Sequence, residues 1–544
     1  MRWVDVLPAI LTCASLSSAA QSPFHAAVTG SPPSEVSRGS NGSWHLNDTP
    51  AANATGHLVF ETVSSLLQHW PNTRYRNGHT IVPGVIPSGT LLYHGTEQPV
   101  VPEVPEWVAT DPEHSHVFCR GPAQSGCWQL TLAATRPLRV LYFDGTSASK
   151  MEDGPMDSQD VVSWGEPKPE WVFKEPERIN DLCEWGRQHA LDGYVRMEMD
   201  FEIMLCNLTS GVKVVSFLNL PVLPAFPNDP DQNFLAFETM NAGHWHNRYP
   251  GDERVQLDLT RLISFYDISL LPSLIPQRAG QERWDHRILG ADPAELLAIR
   301  THLESTLANK HQGSGVDWQT LFRVVIKRYA DRLELVQYLL NSTEHVPATT
   351  QDEYERAAKV QLQLRIMLIP YILHSSVPSR FSASNLADLS WAEPVFTECA
   401  TMHTAAIVSD FVIALTPSEK LLLRAIQETT REICRVVVRM WAEGVESGLD
   451  PYLPIEVEEP NVTAVMWKWQ GDLNGLMGWL DWSVWIKCRP ACGFEEICYL
   501  PTWPVGFRHR RRRPDFPLPN EPEDNDEWRR PQPKCIRRIE PYGF

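Results

Sequence analysis

Residues 193–206 read GYVRMEMDFEIMLC. Apolar side chains fall at Val195, Met197, Met199, Phe201, Ile203 and Leu205, and charged ones at Arg196, Glu198, Asp200 and Glu202. A period of two is the pattern of a β-strand with one buried face. Read as one strand, the stretch sets three carboxylates on one face, about 7 Å apart per step. Like charges so placed repel, and one of them can be held protonated where water is excluded. The plainer reading of the same row is a solvated face balanced by Arg196.

The sequence around this stretch has the same character. GTLLYHG, EWVAT, CWQLTLA and LRVLYFDG before it, and VKVVSFLNL after it, read as strands. RINDLCEWGRQHALDG reads as a helix closed by Gly193. Residues 57–220 are therefore expected to form a sheet domain with helices. Residues 221–287, rich in Pro, Asn and aromatic side chains, are expected to form an irregular extension packed on it. Helices dominate 288–445, where Asp292-Pro-Ala-Glu295 and Thr416-Pro-Ser-Glu419 are capping boxes with proline at the first helical position. Between them Phe322, Val325, Ile326, Tyr329, Leu333, Val336 and Leu340 form one apolar stripe. The tail, 446–544, is rich in Cys and Trp. The expected class is α+β, a sheet domain followed by a mostly helical one.

The first residues carry a different signal. Met1-Arg2 precedes an apolar run from Val4 to Leu16, and small residues follow at Ser18, Ala19 and Ala20. This is the layout of a signal peptide, 1–20, followed by a flexible leader, 21–56. Ten cysteines remain after Cys13, an even number that suits a disulfide-bonded secreted chain. No later run is long and apolar enough to predict a membrane span. A net charge of −19 weighs against a nucleic-acid partner. An extracellular location follows as the expectation, and the oligomeric state is left open.

Tyr93-His94-Gly95-Thr96, followed by EWVATDPEHSHVF and then CWQLTLAATRPLRVLYFD, resembles the ADP-ribosyltransferase fold. The likeness is to its His-Tyr-Glu branch, which includes diphtheria toxin and the poly(ADP-ribose) polymerases. There a strand ends in Tyr-His-Gly-Thr, and a second strand ends near Ser/Thr-Asp and leads into a helix. Two hydrogen-bonded strands follow, and a late strand supplies a glutamate. The resemblance covers residues 78 to 217 and implies an ADP-ribosyltransferase-like split β-sheet. The rest of the chain resembles a family of secreted fungal proteins with no assigned activity.

Carried over by position, the resemblance implies that His94 bonds the adenosine-side ribose of NAD. Gly95 would let the backbone approach the nicotinamide amide, and Thr96 would support the ribose. Val108 stands where the family has its first stacking tyrosine, and Phe118 where it has the second. Both tyrosines are thus replaced, and a valine cannot stack. Glu202 would be the glutamate that stabilises positive charge building on the sugar as the nicotinamide bond breaks. Asp200 would orient the nucleophile, and Glu198 is the alternative to Glu202 one pleat away. The function so implied is a secreted enzyme with NAD as substrate, passing ADP-ribose to a protein acceptor or to water. The alternative is a catalytically inactive secreted binding protein that reuses the fold.

Other constellations carry less. His244-Trp-His246 and His114 with His116 have metal-like spacing but read as surface loop. Cys488, Cys492 and Cys498 resemble a zinc module and, in a secretory chain, read as disulfides. Cys119 and Cys127 flank a short glycine-containing loop that a disulfide would close. Arg510–Arg513 lies beside an acidic run and reads as a charge-balanced loop. No metal site is expected.

Overall fold

The computed structural model describes residues 44–119, 125–197, 200–222, 238–239, 241–242, 251–309, 313–341, 350–377, 388–412, 414–453, 461–502 and 530–539. The signal-peptide region, Glu198, His244, His246 and Arg510–Arg513 lie outside the described residues. Within them the chain is α+β. One sheet is built from β1 (Thr80–Ile86), β2 (Leu91–Thr96), β3 (Glu106–Ala109), β4 (Cys127–Ala134), β5 (Leu138–Phe143), β6 (Gly193–Met197), β7 (Phe201–Leu205) and β8 (Val212–Leu220). The 221–287 stretch adds two short strands, β9 (Gln256–Leu257) and β10 (Ile263–Ser264), both paired with β1. The order is β10-β1-β5-β6-β7-β3-β2-β4-β8. Among the described residues, only the β5–β6 pairing is parallel.

Residues 193–206 are two strands rather than one. β6 and β7 pair antiparallel, with Met197 opposite Phe201 and Arg196 opposite Glu202. This register leaves the side-chain parity unchanged. Val195, Met197, Phe201, Ile203 and Leu205 therefore still share one face and enter one core. A continuous strand and this hairpin have the same alternation, so periodicity cannot separate them. What changes is the pairing: Arg196 and Glu202, six residues apart in sequence, become direct neighbours.

The sheet is strongly curled. β4 and β5 are five strands apart in the order, which on a flat sheet is about 24 Å. Yet only four residue steps join Ala134 to Leu138, and they reach at most about 14 Å. β1 and β2 are likewise five strands apart and joined by a short turn. Both links cross the same open seam, so the sheet bends into a split, incomplete barrel. β4 and β5 do not pair with each other; β4 bonds β2 and β8, while β5 bonds β1 and β6.

Helices cover both faces. On one, Asp157–Trp164, Glu175–Gln188 and Pro293–Ala308 bury Val161, Ile179, Leu182, Leu296 and Leu303 against Leu141, Phe143, Tyr194 and Met204. On the other, a bundle of long helices packs against the sheet in one continuous core, running from Leu58 through Val195 and Tyr329 to Trp441 and Trp469. Its central helix, Pro417–Glu446, begins at the Thr416 capping box, with Glu419 closing it. Position 288 is therefore not a break in the core: Pro293–Ala308 belongs with the sheet, while the Gly56–Ser65 helix packs on Pro417–Glu446. The last strands, β11 (Glu496–Tyr499) and β12 (Lys534–Arg537), form a separate ribbon.

All ten cysteines of the described residues pair: Cys119–Cys127, Cys183–Cys206, Cys399–Cys434, Cys488–Cys498 and Cys492–Cys535. The zinc-like triplet is thus two disulfides, and Cys183–Cys206 ties the Glu175–Gln188 helix to the end of β7. Among the described residues, no helix is long and apolar enough to cross a membrane.

Candidate functional site

A cleft of about 690 Å³ opens where β2 and β3 part. Its lining includes His94, Gly95, Thr96, Phe118 and Glu202, which come from a β2 terminus, a helix end and β7. Tyr93, Ala109, Glu202 and Arg196 lie in one row across β2, β3, β7 and β6, so they share a face. His94 starts on the opposite face. It reaches the cleft because β2 leaves β3 after a single bridge at Tyr93. Past that bridge His94 Nδ1 lies 2.7 Å from the Trp107 carbonyl oxygen, filling the place of a ladder bond. A carbonyl only accepts, so Nδ1 carries the proton and, in the neutral ring, Nε2 keeps its lone pair.

The outer wall explains two of the remaining residues. A Cβ on Gly95 would stand 2.3 Å from the Ser115 carbonyl oxygen and 3.2 Å from Cys119 N. Glycine is needed there because β2 runs against the Pro112–Val117 helix, whatever else approaches it. Phe118 caps that helix, is 40% exposed, and tilts its ring 5.5 Å from His114. The Cys119–Cys127 disulfide fastens this wall to the start of β4. Thr96 Oγ1 accepts from Gln98 N at 3.3 Å.

The inner wall is ionic. Arg196, only 1% exposed, donates from Nε to Glu202 and from Nη2 to Glu175 at 2.7 Å. Glu202 itself is 5% exposed. Glu175 opens the Glu175–Gln188 helix and also meets Arg178 at 2.9 Å and Lys150 at 4.0 Å. Burial alone would raise its pKa, but Arg196, Lys150 and Arg178 together lower it to about 2. The same pairing, against the cost of burial, raises the pKa of Arg196. Arg196 and Lys150 thus face Glu175 and Glu202 in a balanced set.

One expectation needs correction. Asp200 is not in the cleft: it ends the hairpin turn, is fully buried, and its Oδ1 accepts from Phe201 N at 2.7 Å. Alternation by two holds only inside a strand, and the turn removes Asp200 from the Glu202 row. Val108, 1% exposed, packs in the core and also lines the cleft. The aromatic side chain that β3 gives the cleft is Trp107, one residue earlier, 5.7 Å from the Arg196 guanidinium carbon. Trp107, Lys150, Glu175 and Arg196 as a partner of Glu202 were not singled out for the site by sequence. The one available sign was Arg196 at the head of the acid row.

His114 lines the cleft and His116 lies beside the disulfide. Among the described residues, the three groups dense enough to hold a metal each contain disulfide cysteines, whose sulfurs are not thiolates.

Residues 40–127 and 120–238 match the family model described as the YPL277C N-terminal domain. That span contains every cleft residue and the Gly56–Ser65 helix, while the long helices of the bundle lie outside it. The chain is 22% identical over 560 residues to the Saccharomyces cerevisiae uncharacterized protein YOR389W, covering 82% of each. It is 25% identical over 385 residues to the uncharacterized protein YPL277C of the same yeast, covering 52% of this chain and 75% of that one. No solved structure matches the chain.

Proposed function

We propose that the sheet domain is ADP-ribosyltransferase-like, that its cleft binds NAD, and that the bound dinucleotide is held without being cleaved. The observation that carries the binding half is the meeting of His94, Gly95, Thr96, Phe118 and Glu202, spread over more than a hundred residues, on one cleft. The split, curled sheet supports the fold. Five disulfides support a secreted chain.

The absence of cleavage follows from Arg196. An anion stabilises a developing sugar cation only if its field is not already cancelled. Glu202 is in contact with a guanidinium that is itself shut from water, and at that distance the two charges largely neutralise each other. Neither family tyrosine is present, and Asp200 is too deeply buried in the turn to orient an acceptor.

A second reading, turnover with transfer of ADP-ribose to a protein or to water, is favoured by one observation: Trp107 restores an aromatic face beside Glu202. Equilibrium binding of NAD to the full chain tests the first reading. Saturable binding that weakens at least tenfold in His94→Ala is expected; no binding to the wild type removes the proposal.

A further inference from the structure

We infer that the inner end of the cleft is an oxyanion subsite, with Arg196 and Trp107 as its donors. It requires the cleft to be a ligand site but not that the ligand be NAD. Arg196 has three nitrogens, and two are committed to Glu202 and Glu175. The third, Nη1, is buried and has no acceptor. The indole N–H of Trp107, the neighbouring ring, is also buried without one. Both residues line the cleft. His114, 1% exposed, also lines the cleft and has neither ring nitrogen bonded.

Arg196 Nη1 and Trp107 Nε1 can only donate. The carboxylates beside them already accept from Arg196, and Glu175 from Arg178 as well. A ligand group placed there must offer acceptors to these two donors, as a phosphate or a carboxylate does. An amine offers these two donors nothing to bond to. The local ions balance, so the selection is by hydrogen-bond valence, and a charge-assisted bond to the guanidinium gives it strength. Arg196 thereby has two roles, holding Glu202 and reading the ligand.

The test uses calorimetry on the full chain with three probes: inorganic pyrophosphate, ADP-ribose and adenosine. Pyrophosphate and ADP-ribose should bind, and adenosine at least tenfold more weakly than ADP-ribose. Trp107→Phe keeps the ring and removes the N–H; it should weaken both oxyanion probes about tenfold. Arg196→Lys keeps a cation near the two carboxylates but loses the fork, and should do the same. If Arg196→Lys fails to fold, Trp107→Phe carries the test alone. Adenosine bound as tightly as ADP-ribose, or oxyanion binding unchanged in Trp107→Phe, overturns the subsite. Pyrophosphate and ADP-ribose bound while NAD is not would leave the subsite standing and remove the NAD reading. NAD bound equally by wild type and both variants would do the reverse.

Discussion

The two walls of the cleft are built in opposite ways. The inner wall, on β6, β7 and the Glu175–Gln188 helix, is a set of buried ions that satisfy one another. The outer wall, on the end of β2 and the Pro112–Val117 helix, rests on close backbone approach at Gly95, one side-chain bond from His94, and a disulfide. Buried ions fix geometry but tolerate no missing partner, whereas a backbone contact loses a little at a time. The inner wall should therefore fail abruptly and the outer wall gradually.

The largest expected effect is at the centre of the inner wall. Arg196→Met leaves Glu202 buried without its guanidinium and takes one of two from Glu175, and should cost about 3–5 kcal/mol in urea unfolding. A loss below about 1 kcal/mol would mean that the ions are not holding the wall.

Acid comes next. The folded pKa of Glu175, about 2, lies below the ordinary 4.5. Its contribution is then complete above about pH 4.5 and disappears as pH falls towards 2. At about 1.4 kcal/mol per unit this amounts to about 3 kcal/mol. Glu175→Gln should flatten that limb of the stability–pH curve.

On the outer wall, replacing Cys119 and Cys127 together by serine should cost about 2–3 kcal/mol and lower ligand affinity while leaving the acid limb unchanged. His94→Ala is the smallest change. It frees one carbonyl, should cost about 1–2 kcal/mol, and should show mainly as weaker binding.

The two walls also differ in how far the sequence discloses them. Tyr93-His94-Gly95-Thr96 is contiguous, so the outer wall was visible as a motif, and Cys119 and Cys127 flank a loop that invited their pairing. The inner wall joins Lys150, Glu175, Arg196 and Glu202 through pairings that no local pattern records. The alternation in 193–206 identified the right buried face but could not reveal the break into two strands, because setting Met197 opposite Phe201 preserves parity. Asp200 was misplaced for that reason, and Arg196 was read as a solvated counter-ion when it is a buried one. In the bundle, by contrast, the stripe from Phe322 to Leu340 and the Thr416 capping box were legible, since both depend only on helical spacing.

The claim that Arg196 holds Glu202 out of chemistry is tested most directly by nicotinamide release. The full chain is incubated with NAD at a concentration that calorimetry shows to fill the cleft, and free nicotinamide is counted against a blank without protein. The account predicts occupied clefts and no release above the blank. Steady release that falls a hundred- to a thousandfold in Glu202→Gln would contradict it, and would show Glu202 acting on the sugar with Arg196 beside it.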